Sequence, residues 1–142
     1  MNREESYDYI KKLDWNLDRK IQLKAVEEIK SLCDFDYSLL IQPLGKQLWE
    51  NSAAILCSID NKLLDRQIIL GLFDWIQDLN WPGADIVFAY LKAQLSNHNI
   101  YAVWKDKLQQ AIDQQDYDWL TNLKMLMDKT RDEKSTDDGF FC

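Results

Sequence analysis

The residues that could do chemistry are few. His98 is the only histidine among 142 residues, and it stands in the polar run SNHN, which reads as an exposed linker. Cys33, Cys57 and Cys142 form an odd set with no CxxC pair, so neither a disulfide framework nor a zinc ligand set is visible. Cys33 and Cys57 fall at apolar helical positions, where a small buried thiol is expected. A Cys–His dyad could be assembled on paper, but nothing local supports one. One histidine excludes two-histidine metal sites, and no GxxxxGK[ST], GxGxxG or GxSxG motif occurs. Asp74 and Asp78 are paired carboxylates at i, i+4, a spacing that acid–base chemistry could use but that more often marks a solvated helix face. No enzyme, cofactor or metal is expected.

Acids and aromatics remain. Asp+Glu number 24 against 17 Lys+Arg, a formal charge of −7. Nucleic-acid binders neutralise phosphates with basic stripes, and anionic membranes repel an acidic surface, so neither partner is expected. A basic protein partner is permitted. The opening MNREESYDYIKK lacks an apolar signal core, no apolar run approaches the roughly 18 residues of a membrane span, and GFFC is not a prenylation box. A reduced, cytoplasmic setting is the simplest expectation.

The elements that must position these residues are helical. Glycine is held to four and proline to two, which disfavours turn-rich β folds. From an Asp18 cap, Ile21, Ala25, Ile29 and Leu32 fall at helix spacing, widened by Leu23 and Val26. Leu39 to Ile59 repeats the pattern with Leu44, Leu48, Ile55 and Leu56, and Pro43 suits a first turn. After Asp60, the side Ile68, Ile69, Leu72, Ile76 and Leu79 has Phe73 and Trp75 at its margins. Gln67, Gly71, Asp74 and Asp78 lie opposite. Pro82 reads as the first residue of a helix capped by Asn80 or Trp81 and striped by Ala84, Val87, Phe88, Leu91 and Leu95. Helices over 100–114 and 117–130 follow. The expected domain is residues 1–131, and 132–142 is a charged, then apolar, tail ending in Phe140, Phe141 and Cys142.

Trp15, Trp49, Trp81 and Trp119 are spaced 34, 32 and 38 residues apart. Three stand at helix starts, in LDW, LNW and YDW, while Trp49 is expected inside its helix. A period of this size suggests helix pairs that bury their faces only by stacking, an irregular HEAT-like α-solenoid of about four repeats. The tryptophans would fill the junctions or line a partner groove. Asp14, Asp78, Asp116 and Asp118 map to turns between paired helices and, with Asp74, would form an acidic ridge for a partner. The helix dipole accounts for several of these acids without one.

The stretch LFDWIQDLNWPGADIVFAYLK (72–92) resembles the "LLEWLQDLNWPGA" signature of a family of small, tryptophan-rich bacterial proteins classed as a domain of unknown function. LIQPLGKQLWENSAAIL (40–56) is similar to its "IQP…WENCAKIL" block, LDWNLDRKIQLKAVEEI to its opening, and DYDWLTNLKMLM to its close. Trp49, Trp75, Trp81, Pro82 and Gly83 carry the likeness, which spans about residues 6–128. Ser52 stands where that block has cysteine, and Phe73 replaces an acid. In the NWPGA turn, Pro82 would pre-set a helix start, Gly83 and Ala84 would allow close helix approach, and Trp81 would cover the junction.

The resemblance implies an all-α HEAT-like fold and a binding role as the immunity partner of a polymorphic toxin. The alternative is a cytoplasmic adaptor or scaffold with a housekeeping partner. A HEAT-like enzyme acting on nucleic acid would need a cationic groove, which the net charge disfavours. Converting Asp74 and Asp78 to lysine is expected to slow association and leave folding intact.

Overall fold

The computed structural model describes residues 1–128. The 132–142 tail, with Phe140, Phe141 and Cys142, and the last three residues of the expected domain lie outside the described residues. Among the described residues the chain is all-helical, with seven α-helices, four short 3₁₀ turns and no strand.

Helix α1 (Arg3–Ile10) begins at Asn2, whose side chain accepts the Glu5 N–H while Glu5 reaches back, a reciprocal capping box. It tightens into a 3₁₀ turn, Lys11–Leu13, which buries Leu13. Helix α2 (Arg19–Lys30) starts from the expected Asp18 cap. Its inward face is phased differently from the apolar pattern. Ala25 and Ile29 are buried, but Ile21 and Leu23 are exposed and Gln22 takes the inward position. The Asp14–Asp18 turn leaves carbonyls that need donors inside the fold. Gln22 Nε2 donates to the carbonyls of Trp15 and Leu17 at 3.2 and 2.7 Å. Asn51 Nδ2 donates to the Leu13 carbonyl and to Gln22 Oε1 at 2.8 and 2.9 Å. An aliphatic side chain at 22 would take the Gln22 donor from the Trp15 and Leu17 carbonyls.

The expected helix over 39–59 is broken. A 3₁₀ turn (Tyr37–Leu40), a loop and a second 3₁₀ turn (Lys46–Leu48) precede α3 (Trp49–Leu56). Pro43 is therefore in the loop, not a first turn, and Trp49 opens its α-helix as the other repeating tryptophans were expected to do. Gly45, at φ +101°, reverses the chain where a helix could not continue. Ser52 is buried and donates Oγ–H to the Leu48 carbonyl at 2.7 Å, so the position serves packing and local hydrogen bonding.

Helix α4 (Arg66–Trp75) starts at Asp65, which accepts from Ile68 N, while Asp60 caps the 3₁₀ turn Asn61–Leu63. Phe73 and Trp75 are fully buried, not marginal. Gly71 is buried too, because a Cβ there would stand 2.6 Å from Ile41 Cγ2. A helix covered on both flanks has a wider buried arc than periodicity alone suggests. Helix α5 (Ala84–Gln94) is capped by Gly83 at φ +82°, so Pro82 lies ahead of the helix and not at its first position. Helix α6 (His98–Gln114) starts at exposed His98 with Asn97 as its cap, so the histidine belongs to a helix and not to the linker. Gln115 closes α6 in the left-handed region, and α7 (Tyr117–Met125) follows.

One contiguous core runs through the described residues. Helix α3 packs on α2 and α5, α4 on α5 and α6, and α6 on α7. The tryptophans stitch these contacts. Indole N–H groups of Trp49, Trp75, Trp104 and Trp119 donate to the carbonyls of Pro43, Pro82, Leu123 and Phe73. Each ring fills a junction while its one donor reaches a main-chain oxygen; those of Phe73 and Leu123, near the ends of α4 and α7, also accept the N–H groups of Ile76 and Leu126.

Candidate interaction surface

The turn between α4 and α5 is organised by its aromatic residues. Trp49 meets Trp75 and Trp81 edge-on, with ring centroids 6.1 and 5.8 Å apart. Trp75 Nε1 holds the Pro82 carbonyl at 2.9 Å, which pulls the NWPG turn onto the end of α4. Gly83 lets that turn approach α3, since a Cβ would lie 2.7 Å from Ala53 Cβ and 3.0 Å from the Trp49 carbonyl oxygen.

Helix α7 docks on the same end of α4. Trp119 Nε1 donates to the Phe73 carbonyl at 3.1 Å and Asn122 Nδ2 to the Ile76 carbonyl at 2.9 Å. This brings two turns together. Asp78, after α4, and Asp118, in the first turn of α7, line one open cleft of about 450 Å³ with Gln77, Asn80, Thr121 and Asn122. Asp116 and Tyr117 continue the surface beside Asp118, and Tyr117 is 66% exposed.

Two of the five candidate acids stand differently. Asp74 is committed, with its Oδ1 2.7 Å from Lys107 Nζ, and that lysine is buried. Lys107 Nζ also reaches Gln110 Oε1 and lies 5.6 Å from the Trp119 ring. Asp14 stands in the turn between α1 and α2, where it accepts the Asn16 N–H. Asp78 and Asp116 likewise accept the main-chain N–H groups of Asn80 and Trp119. The acids therefore set local turns and, at 78, 116 and 118, also gather on one edge.

Sequence reasoning missed Lys107. Its signal was a lysine in register with buried Val103, Trp104 and Ala111, a position that suits a charge only with a partner. Of the two placements expected for the repeating tryptophans, junction or surface, Trp15 takes the surface one. That ring is 47% exposed although its main-chain N–H is fixed to the Gln47 carbonyl at 3.1 Å.

No three His, Cys, Asp or Glu side chains converge on a metal-sized site among the described residues. Cys33 is exposed and not buried as its periodic position suggested, because α2 ends at Lys30 before reaching it. Burial pushes the Cys57 thiol up to about 12. The neutral thiol is the unreactive form, so native alkylation at pH 8 is expected to label Cys33 and spare Cys57 until the chain unfolds. Mass mapping of the two peptides after a timed iodoacetamide pulse checks this, and equal labelling would refute it.

Residues 50–137, more than half of the chain, match the family model described as Domain of unknown function (DUF5071). The chain belongs to this family. No curated protein and no solved structure matches it. The DUF5071 match takes in α3 from its second residue and α4 to α7, and with them the NWPG turn and the Asp78–Asp118 cleft. Helices α1 and α2 and the loop before α3 lie ahead of it.

Proposed function

We propose that this DUF5071 chain is a non-enzymatic interaction module, an immunity protein that binds and occludes a cognate basic toxin domain in the cytoplasm. The observation that carries the reading is the Asp78–Asp118 cleft. Carboxylates from two separate turns face one open surface, continued by Asp116 and an exposed Tyr117. Opposite charge would speed encounter, and tyrosine or tryptophan anchors would hold the complex. The immunity role that the resemblance of the NWPGA signature implies is the same.

The scaffold we infer is a HEAT-like stack of about four irregular helix pairs. In support, α4 packs on α6 and α3 on α5, so equivalent members of successive pairs meet. Among the described residues no helix is long and apolar enough to cross a membrane.

The test is affinity capture from native lysate with washes at low and then high salt. One basic, toxin-like protein that survives high salt supports immunity. Several housekeeping proteins, or a partner lost as salt screens the charges, would favour the adaptor reading. With the partner in hand, Asp78→Lys with Asp118→Lys is expected to slow association about tenfold in stopped-flow mixing at low salt, while the melting temperature holds. An unchanged association rate would remove the cleft from the interface. Asp74 is a poor position for that experiment, because Asp74→Lys would set a second cation against buried Lys107.

A further inference from the structure

The segment from Ile41 to Leu48 is anchored at three points. Ile41 packs into the space that Gly71 leaves open. The buried Pro43 accepts Trp49 Nε1–H at 2.6 Å, and the Gln47 carbonyl accepts Trp15 N–H at 3.1 Å. Between these anchors the chain adopts a costly form. Gln42 has φ +41°, a region a side-chain-bearing residue rarely enters. Its side-chain amide nitrogen is buried without a hydrogen-bond partner. Two residues on, Leu44 is 96% exposed, and Gly45 has φ +101°. Beside Leu44 runs a groove of about 480 Å³ along α1, its apolar lining from Tyr7, Ile10, Leu44 and Leu48 and its charged lining from Glu4, Asp8 and Lys11.

The three costs share one remedy. Rotation at Gln42 to negative φ would relieve the backbone, swing the amide toward water and lower Leu44 into the groove beside it. Gly45 can follow from either sign of φ, as only glycine does without penalty. The Trp49–Pro43 hydrogen bond and the burial of Pro43 oppose the change. Buried polar groups left unpaired and strained dihedrals persist where a segment serves more than packing. We infer that residues 42–45 form a two-state strap, open as described and closed with Leu44 laid against Tyr7 and Leu48. The open form offers one aliphatic side chain to a partner and the closed form hides it. A partner that takes Leu44 would draw the equilibrium open. The strap does not depend on the toxin-binding reading.

Methyl relaxation dispersion on the full chain with ¹³C-labelled leucine tests this. The expected result is microsecond–millisecond exchange at the Leu44 methyls and the 42–47 amides, with the minor-state methyl shifted upfield by the Tyr7 ring. Gln42→Gly removes both the strain and the trapped amide from the open form. It should cut the closed population about tenfold, the factor that ~1.4 kcal/mol produces. Leu44→Ala, which removes the gain from closure, should cut it too. Flat dispersion in the native chain would overturn the strap. So would exchange that Gln42→Gly leaves unchanged, or strong Leu44–Tyr7 contacts in the major state.

Discussion

Replacing Trp119 by alanine is expected to destabilise the fold by about 3–5 kcal/mol, the range for deleting a large buried aromatic side chain. The ring is fully buried and its loss removes three things together. A cavity opens between α4 and α7. The Phe73 carbonyl loses its indole donor at 3.1 Å. Lys107, buried and paired with Asp74, loses the aromatic face 5.6 Å from its ammonium. Trp119→Phe divides these effects, because it keeps one aromatic ring but deletes the donor and leaves a smaller cavity, at about 1–3 kcal/mol. Urea titration of the three proteins checks the order. Local consequences should appear at Asp78, Asp118 and Asn122, where amide exchange should quicken as the α6–α7 turn loosens from α4. A cost below about 1 kcal/mol for the alanine variant would mean that Trp119 is not the residue that seats α7.

Periodicity and turn chemistry carried the reading of this fold a long way. The Asp18 cap and the buried Ala25, Ile29, Ile68 and Leu91 could be read from spacing and residue type alone. What could not be read was anything that depends on two distant segments meeting. Gln22 lies inward because Leu13, Trp15 and Leu17 present carbonyls and Asn51 arrives from α3. Gly71 is buried because Ile41, thirty residues earlier, fills the space beside it. Pro82 misled for a related reason. Its ring suits a first helical turn, but the close approach of α3 demands a left-handed glycine at 83, which moves the helix start past the proline. At the candidate surface, the acids were visible as turn residues, and the turns at Asp78 and Asp116–Asp118 do adjoin. That Asp74 would be spent on a buried lysine is a tertiary fact with no local signature.

Gly83→Ala is the second substitution with a large expected effect, about 2–5 kcal/mol. About 1–2 of this comes from holding a side-chain-bearing residue in the left-handed region, and about 1–3 from overpacking. The two causes can be separated inside this molecule. Gly45 also has positive φ, but the atoms nearest to a Cβ there would be the far end of the flexible Gln47 side chain. Gly45→Ala should therefore show mainly the backbone cost, about 1–2 kcal/mol. At Gly83 the nearest atoms are Ala53 Cβ at 2.7 Å, the Trp49 carbonyl oxygen at 3.0 Å and Trp75 Cζ2 at 3.3 Å, none of which can swing away. Ala53→Gly in the Gly83→Ala background opens the closest of these contacts. The double variant should be more stable than the sum of the single costs, a favourable coupling of about 1 kcal/mol for residues in direct contact. Strict additivity with equal costs at 45 and 83 would show that the left-handed dihedral alone requires the glycine. A coupling of the expected size would show that the NWPG turn is a contact between α3 and α5, with glycine there because no side chain fits between them.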